Sequence, residues 1–298
     1  MGPLPTDELT EVMTLQPIRP VLVLGATGRT GRRVTSQLLR RAVPVRAASR
    51  QASPAFEWDD PATWPAVLAG TGAAYVCYSP DLAVPGAADV VGAFSEQAVA
   101  QGVGRLVLLS GRGEPGAQAA ESALRSTAEA CGVAWTVVRS AWFAQNFSES
   151  FLLDQVLEGV VALPVGDIAE PFVDVEDVTD VIVALVDPGH SGRLYDVTGP
   201  RLLTFAQAVT EIAVATGWPV SFRSISAAEH TAALAADGLS EDLLTLMHQL
   251  FTEVLDGRNA HLTEGVQQAL GHPARDFGDY VVRTARAGGW AVPAAAAR

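Results

Sequence analysis

Val21-Leu22-Val23-Leu24-Gly25-Ala26-Thr27-Gly28-Arg29-Thr30-Gly31, running on into Arg32-Arg33-Val34-Thr35-Ser36-Gln37-Leu38-Leu39-Arg40, decides the fold. A short apolar run enters three glycines spaced G-x-x-G-x-x-G, and apolar side chains then recur at helical spacing. Strand, glycine turn and helix in that order make a phosphate-binding βα unit. Gly25 permits the tight turn, Gly28 lets the backbone approach a pyrophosphate, and Gly31 allows the helix to pack closely on the strand. Thr27, Arg29 and Thr30 belong to the same cofactor-binding turn, and the N–H groups opening the helix face the anion.

The second strand reads Pro44-Val45-Arg46-Ala47-Ala48-Ser49-Arg50. A site for NAD places Asp or Glu near the end of this strand, roughly 20 residues after the glycines, to hold the ribose 2′-OH. Here Ser49 and Arg50 stand in that place, with no acid beside them. A guanidinium pairs with a 2′-phosphate that a carboxylate would repel, so NADP(H) is expected in preference to NADH. Arg29 is a second candidate for the same phosphate.

Composition suits a soluble enzyme. A chain of 298 residues, 49% of them hydrophobic, is long enough for one large α/β domain. It contains no uninterrupted apolar run of the roughly 18 residues that a membrane span needs. Met1-Gly2-Pro3-Leu4-Pro5-Thr6-Asp7-Glu8 is acidic and proline-rich, unlike a signal peptide, and residues 1–17 read as a loose tail. Cys77 and Cys131 stand alone on apolar elements and read as buried thiols in a reducing cytoplasm. A net charge of −13 argues against nucleic acid as a partner. The expected partner is a small-molecule substrate, and the expected assembly a monomer or homodimer.

Strand and helix patterns alternate, as a doubly wound parallel sheet requires. Ala55-Phe56-Glu57-Trp58 leads into a short helix with Trp64, Val67 and Leu68, and Ala73–Tyr78 counts as a fourth strand, stopped by Ser79-Pro80. A helix over 88–101 precedes Arg105–Ser110, a near-continuous apolar run typical of a central strand. A helix over 116–131, a strand at Trp135–Arg139, a strand at Arg193–Thr198 and a helix from Thr204 to Thr216 follow. The expected architecture is a Rossmann domain over 18–224 and a small, mainly helical lobe over 225–298, including Leu239–Leu255, that covers the substrate cleft. Asp174, Glu176, Asp177 and Asp180 read as an acidic helix start, and Glu149 as a residue on a helix face. His230, His248, His261 and His272 are scattered like surface residues, and no metal site is expected.

The Gly25–Gly31 turn, Leu109–Glu114, Trp135–Arg139, Trp142-Phe143-Ala144-Gln145-Asn146-Phe147-Ser148-Glu149, Glu170–Val178 and Tyr195–Pro200 together resemble an atypical short-chain dehydrogenase of the NmrA-like group. The likeness is to the quinone-reductase-like members and the ergot-alkaloid-type iminium reductases. It implies that Ser110 and the 140–147 loop flank the nicotinamide, that Asp59 or Asp60 lies near the adenine, and that Tyr78, Ser79 and Pro80 line the cofactor cleft.

Mainstream short-chain dehydrogenases use a Tyr-x-x-x-Lys pair, in which lysine lowers the tyrosine pKa for proton exchange. This chain has no lysine; all 20 of its basic side chains are arginine. Tyr75, Tyr78, Tyr195 and Tyr280 all lie outside the helix after Ser110 where the pair would sit. An iminium carbon accepts hydride without a proton, and a quinone spreads the incoming charge, so both tolerate a site that mainly binds, orients and excludes water. Trp142, Phe143 and Phe147 are the candidates for an aromatic wall against a flat substrate, or are core packing. Ser110 and Asn146 are the candidate catalytic polar groups, although a serine ending a buried strand also serves simply to cap a turn. Arg112 either binds a substrate carboxylate or pairs with Glu114. The expected activity is NADPH-dependent reduction of an imine, iminium, quinone or activated alkene. The alternative is a non-catalytic NmrA-like redox sensor that binds NADP and a protein.

Overall fold

The computed structural model describes residues 18–184, 186 and 188–290. The tail expected over residues 1–17 lies outside them. Among the described residues no helix is long and apolar enough to cross a membrane.

The strands in chain order are β1 (Val21–Leu24), β2 (Val45–Ala48), β3 (Ala73–Val76), β4 (Arg105–Gly111), β5 (Ala134–Ser140), β6 (Val160–Leu163), β7 (Ala169–Glu170), β8 (Arg193–Val197), β9 (Leu203–Thr204) and β10 (Ser221–Ser224). Six of them form one parallel sheet in the order β2-β1-β3-β4-β5-β8. From β1 the chain crosses to β2 on one side, then returns to β3 on the other, so the strand order reverses between β1 and β3. A ligand crevice opens at such a switch point, beyond the carboxyl ends of the strands. Residues 55–57 pair with no strand, which makes Ala73–Val76 the third strand rather than the fourth.

Side-chain alternation along these strands feeds two layers. Leu22, Leu24, Ala74, Val76, Leu106 and Leu108 face α2 (Trp64–Leu68), α3 (Ala87–Ala100) and α4 (Pro115–Ala130). Val21, Val23, Ala73, Tyr75, Val107 and Val138 face the opposite layer, where α1 (Arg29–Arg40) contributes Val34 and Leu38. With both faces covered, β1 and β3 are buried throughout and the middle of β4 and β5 is too, which explains their apolar runs, whereas the edge strands β2 and β8 are partly exposed.

A further apolar cluster joins Phe147, Phe172, Phe205, Phe251, Phe277, Tyr280 and Trp290, and thus spans residues on both sides of position 225. Two small strand pairs support it, β6 with β10 in parallel and β7 with β9 antiparallel. Thr204 caps the helix at Phe205–Thr216 with a reciprocal Thr204–Gln207 capping box. Within the expected helical stretch 239–255 the chain is helical from Glu241 to Val254, and its last turn, Leu250–Val254, is wound as a π-helix.

Candidate active site

The glycine turn has the geometry that its spacing predicts. Gly25 has φ +63°, a conformation open to glycine, and Gly28 donates to the Gly25 carbonyl at 2.8 Å. A Cβ on Gly31 would lie 2.1 Å from the Gly25 oxygen, so only glycine lets α1 start this close to β1. The first turn of α1 carries no side-chain cap, which leaves its N–H groups to an anion. The turn opens onto a cleft of about 890 Å³. An uncapped helix start, a backbone cradle and a long cleft fit a dinucleotide. Gly25, Thr27, Gly28, Arg29 and Thr30 line it, and Gly31 sits behind the turn as the packing glycine.

Ser49, Arg50 and Asp59 reach the same cleft, and Arg50 and Asp59 are exposed there. Tyr78, Ser79 and Pro80 line the cleft as well, and Tyr78 packs against Trp58 with ring centroids 4.9 Å apart. Arg29 turns another way. Its guanidinium donates to Asn146 and lies over the Phe143 ring, 5.5 Å from the centroid, which commits it to the aromatic loop. Asn146 is thereby partnered and nearly buried.

The aromatic loop is held by backbone and side-chain bonds. Val173 and Ala144 exchange hydrogen bonds with Trp142 and Val173 carbonyls at 2.9 and 2.8 Å. The buried Gln145 amide donates to Asp174 Oδ1 at 2.8 Å and accepts from the Val175 N–H at 2.8 Å. Asp174 also pairs with Arg283. This fixes Trp142 and Phe143 as cleft wall, joined by Phe151 and Leu250. Phe147 does not share that role. It has no exposed surface and packs against Phe172, Phe205 and Phe277, so helical winding after Asn146 turns it into the core.

Ser110 is buried at the end of β4 and donates to Glu121 Oε1 at 2.6 Å, while Arg139 binds the same carboxylate. Its proton is thus committed to a charged acceptor. Arg112 does not pair with Glu114. Its Nε lies 2.7 Å from Asp196, and its other nitrogens reach the Asn259 carbonyl at 3.1 Å and His261 Nε2 at 2.8 Å. All three guanidinium nitrogens therefore have protein partners, although Arg112 still lines the cleft.

Glu149 does lie on a helix, Asn146–Glu149, and in addition ion-pairs with Arg32 and Arg33. Other expectations change. His230 is buried against Phe251, and burial pushes its pKa down. Cys131 is exposed, because it follows the last turn of α4. Cys77, which lines the cleft, is held up in pKa by burial.

The largest omission of the sequence reading is a carboxyl pair. Asp81 and Glu114 both line the cleft and hydrogen-bond to each other. Burial first, then the charge of Asp81, pushes Glu114 up to about 9. Burial likewise raises Asp81, whose Oδ1 accepts from the Ala83 N–H at 2.8 Å. Asp81 directly follows Ser79-Pro80, but its meeting with Glu114 depends on β3 and β4 being neighbours. Trp58, Phe151 and Leu250 were missed as well, each reaching the cleft from an element outside the glycine and aromatic motifs.

The chain matches no protein-family model. It is 31% identical over 292 residues to the (4-alkanoyl-5-oxo-2,5-dihydrofuran-3-yl)methyl phosphate reductase of Streptomyces griseus, covering 90% of this chain and 98% of that protein. It is 28% identical over 291 residues to the NAD(P)H azoreductase of Xenophilus azovorans, covering 90% and 99%. The triphenylmethane reductase of Citrobacter sp., solved with NADP(H), superposes with a TM-score of 0.74 at 17% identity, over 89% of this chain and 99% of that one. The glycine turn, the switch-point cleft and these full-length likenesses lead to one assignment: the chain belongs to the atypical short-chain dehydrogenase/reductases of the NmrA-like group.

Proposed function

We propose that this chain, an NAD(P)H-dependent reductase of small molecules, prefers NADPH and delivers hydride to an imine, iminium, quinone or activated alkene of a flat or cyclic substrate. A single observation carries the reading. One continuous cleft joins the glycine turn and Arg50 to the Trp142, Phe143 and Phe151 wall.

The chain's own groups divide the work. The glycine turn and the start of α1 hold the pyrophosphate, and Arg50 meets the 2′-phosphate as a charge-assisted pair. The bound nicotinamide supplies a hydride in its reduced form. Trp142, Phe143 and Phe151 orient a flat ring and keep water from the reacting face. Asn146 and Arg29 brace that wall. The site works without a Tyr-x-x-x-Lys pair, since the chain has no lysine.

The test is oxidation of NADPH and, in parallel, NADH against cyclic iminium ions, quinones and azo dyes. Substrate-dependent turnover faster with NADPH is the expected result. Tight NADPH binding without turnover of any class would favour the sensor. Replacing Arg50 with Asp should weaken NADPH at least about tenfold more than NADH, the loss of one charge-assisted pair. Equal losses would refute the 2′-phosphate assignment.

A further inference from the structure

Glu114 occupies the N-cap position of α4, yet its side chain caps no N–H of that helix. A carboxylate there normally accepts from the first turn. Instead it folds back over Gly111: a Cβ at Gly111 would lie 2.2 Å from Glu114 Oε1 and 2.6 Å from Oε2. The missing side chain of Gly111 is the space that the carboxyl fills. There it meets Asp81, which comes from the loop after β3.

Two carboxyl groups in one hydrogen bond require a proton between them. Asp81 receives the Ala83 N–H, which favours its charge, so the proton resides on Glu114. The remaining charges near Glu114 agree. Glu121, on α4, adds negative potential, although Arg139 on β5 neutralises part of it. On the lobe side Arg258 reaches the Gly113 carbonyl at 3.5 Å and ion-pairs with Asp256. Other proton carriers are committed: Ser110 to Glu121, and Tyr75, fully buried, to Thr30 at 2.8 Å. Tyr78 and Cys77 line the cleft, but burial raises both.

We propose that Glu114, held over Gly111 by Asp81, donates the proton that completes reduction of an uncharged substrate, and that Asp81 positions and retains that proton. The inference rests on the reductase reading above. For an acceptor bond X=Y, the hydride and its two electrons, from the reduced nicotinamide, add to X. The π bond breaks and its pair passes to Y. The O–H bond of Glu114 breaks as the Y–H bond forms, leaving a carboxylate beside Asp81, and water restores the proton. The substrate is reduced, the nicotinamide is oxidised, and one solvent proton is consumed. A cationic carbon, as in a triphenylmethane dye, needs hydride alone.

That difference supplies the test. The full chain and its Glu114→Gln and Asp81→Asn forms would be assayed with an azo dye and a triphenylmethane dye from pH 6 to 10. NADPH binding would be followed by fluorescence, and the protonated carboxyl of Glu114 by the infrared band that the nucleotide-free protein shows and its Glu114→Gln form lacks, a difference from which Glu170 cancels. In Glu114→Gln the ratio of azo to triphenylmethane turnover should fall about 100- to 10,000-fold, the usual weight of a general acid. Azo reduction by the unsubstituted chain should fall as pH rises through about 9, with loss of the infrared band over the same range. Asp81→Asn removes the negative neighbour and should move that fall to lower pH. An unchanged ratio, an equal loss on both dyes, or no infrared band at neutral pH overturns the assignment to Glu114 while leaving the reductase reading intact. An unsubstituted chain that reduces neither dye overturns the reductase reading and this inference with it.

Discussion

Replacement of Glu170 with Gln should reshape the pH dependence of stability. Glu170 ends β7, is fully buried, and neither carboxylate oxygen has a hydrogen-bond partner among the described residues. Burial pushes its pKa from the ordinary 4.5 to about 7; Arg112 opposes the rise and Asp256 adds to it. A carboxyl with a raised folded pKa costs nothing below pH 4.5, where both states are protonated. Between pH 4.5 and 7 the unfolded chain releases a proton that the folded chain keeps, so stability falls as pH rises. At about 1.4 kcal/mol for each tenfold in proton affinity, the full loss above pH 7 is about 3 kcal/mol. The Glu170→Gln protein keeps the shape but has no proton to lose. Urea unfolding of both proteins between pH 4 and 8 would therefore give a difference that grows by about 3 kcal/mol in favour of the variant. A difference that stays constant with pH would refute the reasoning, because Glu170 would then titrate alike in both states.

Three further outcomes follow from packing. Gly31→Ala places a methyl against the Gly25 carbonyl and should cost about 1–3 kcal/mol, with a parallel drop in nucleotide affinity measurable by fluorescence titration. Phe147→Ala should cost about 3–5 kcal/mol in chemical unfolding, because the ring is wholly enclosed by other aromatics. Phe143→Ala, at a half-buried wall position, should cost much less in unfolding and instead raise KM for a flat substrate.

The cofactor half of the cleft could be read from the chain because its signals are local. The Gly25–Gly31 spacing needs only one strand and one helix, and Ser49-Arg50 follows the very next strand. The substrate half is built by distant segments. Phe143 and Phe147 differ by four positions, one facing the cleft and one the core, and their roles follow from where Val173 pins the loop. Arg112 has an acid two residues away, yet its partners sit at Asp196 and His261, placed by β8 and the helical lobe. The Asp81–Glu114 pair likewise required adjacent strands to meet.

Asp174 shows what such long-range construction implies. One buried carboxylate receives Gln145 from the aromatic loop, the Glu176 N–H at 2.9 Å from the following helix, and Arg283 from the helix at Phe277–Arg286. The loop that carries Trp142 and Phe143 is thereby tied, through Gln145 and Asp174, to a helix more than 100 residues further along the chain. The substrate wall thus answers to two distant places at once, to Arg283 through Asp174 and Gln145, and to Arg29 directly from the glycine turn.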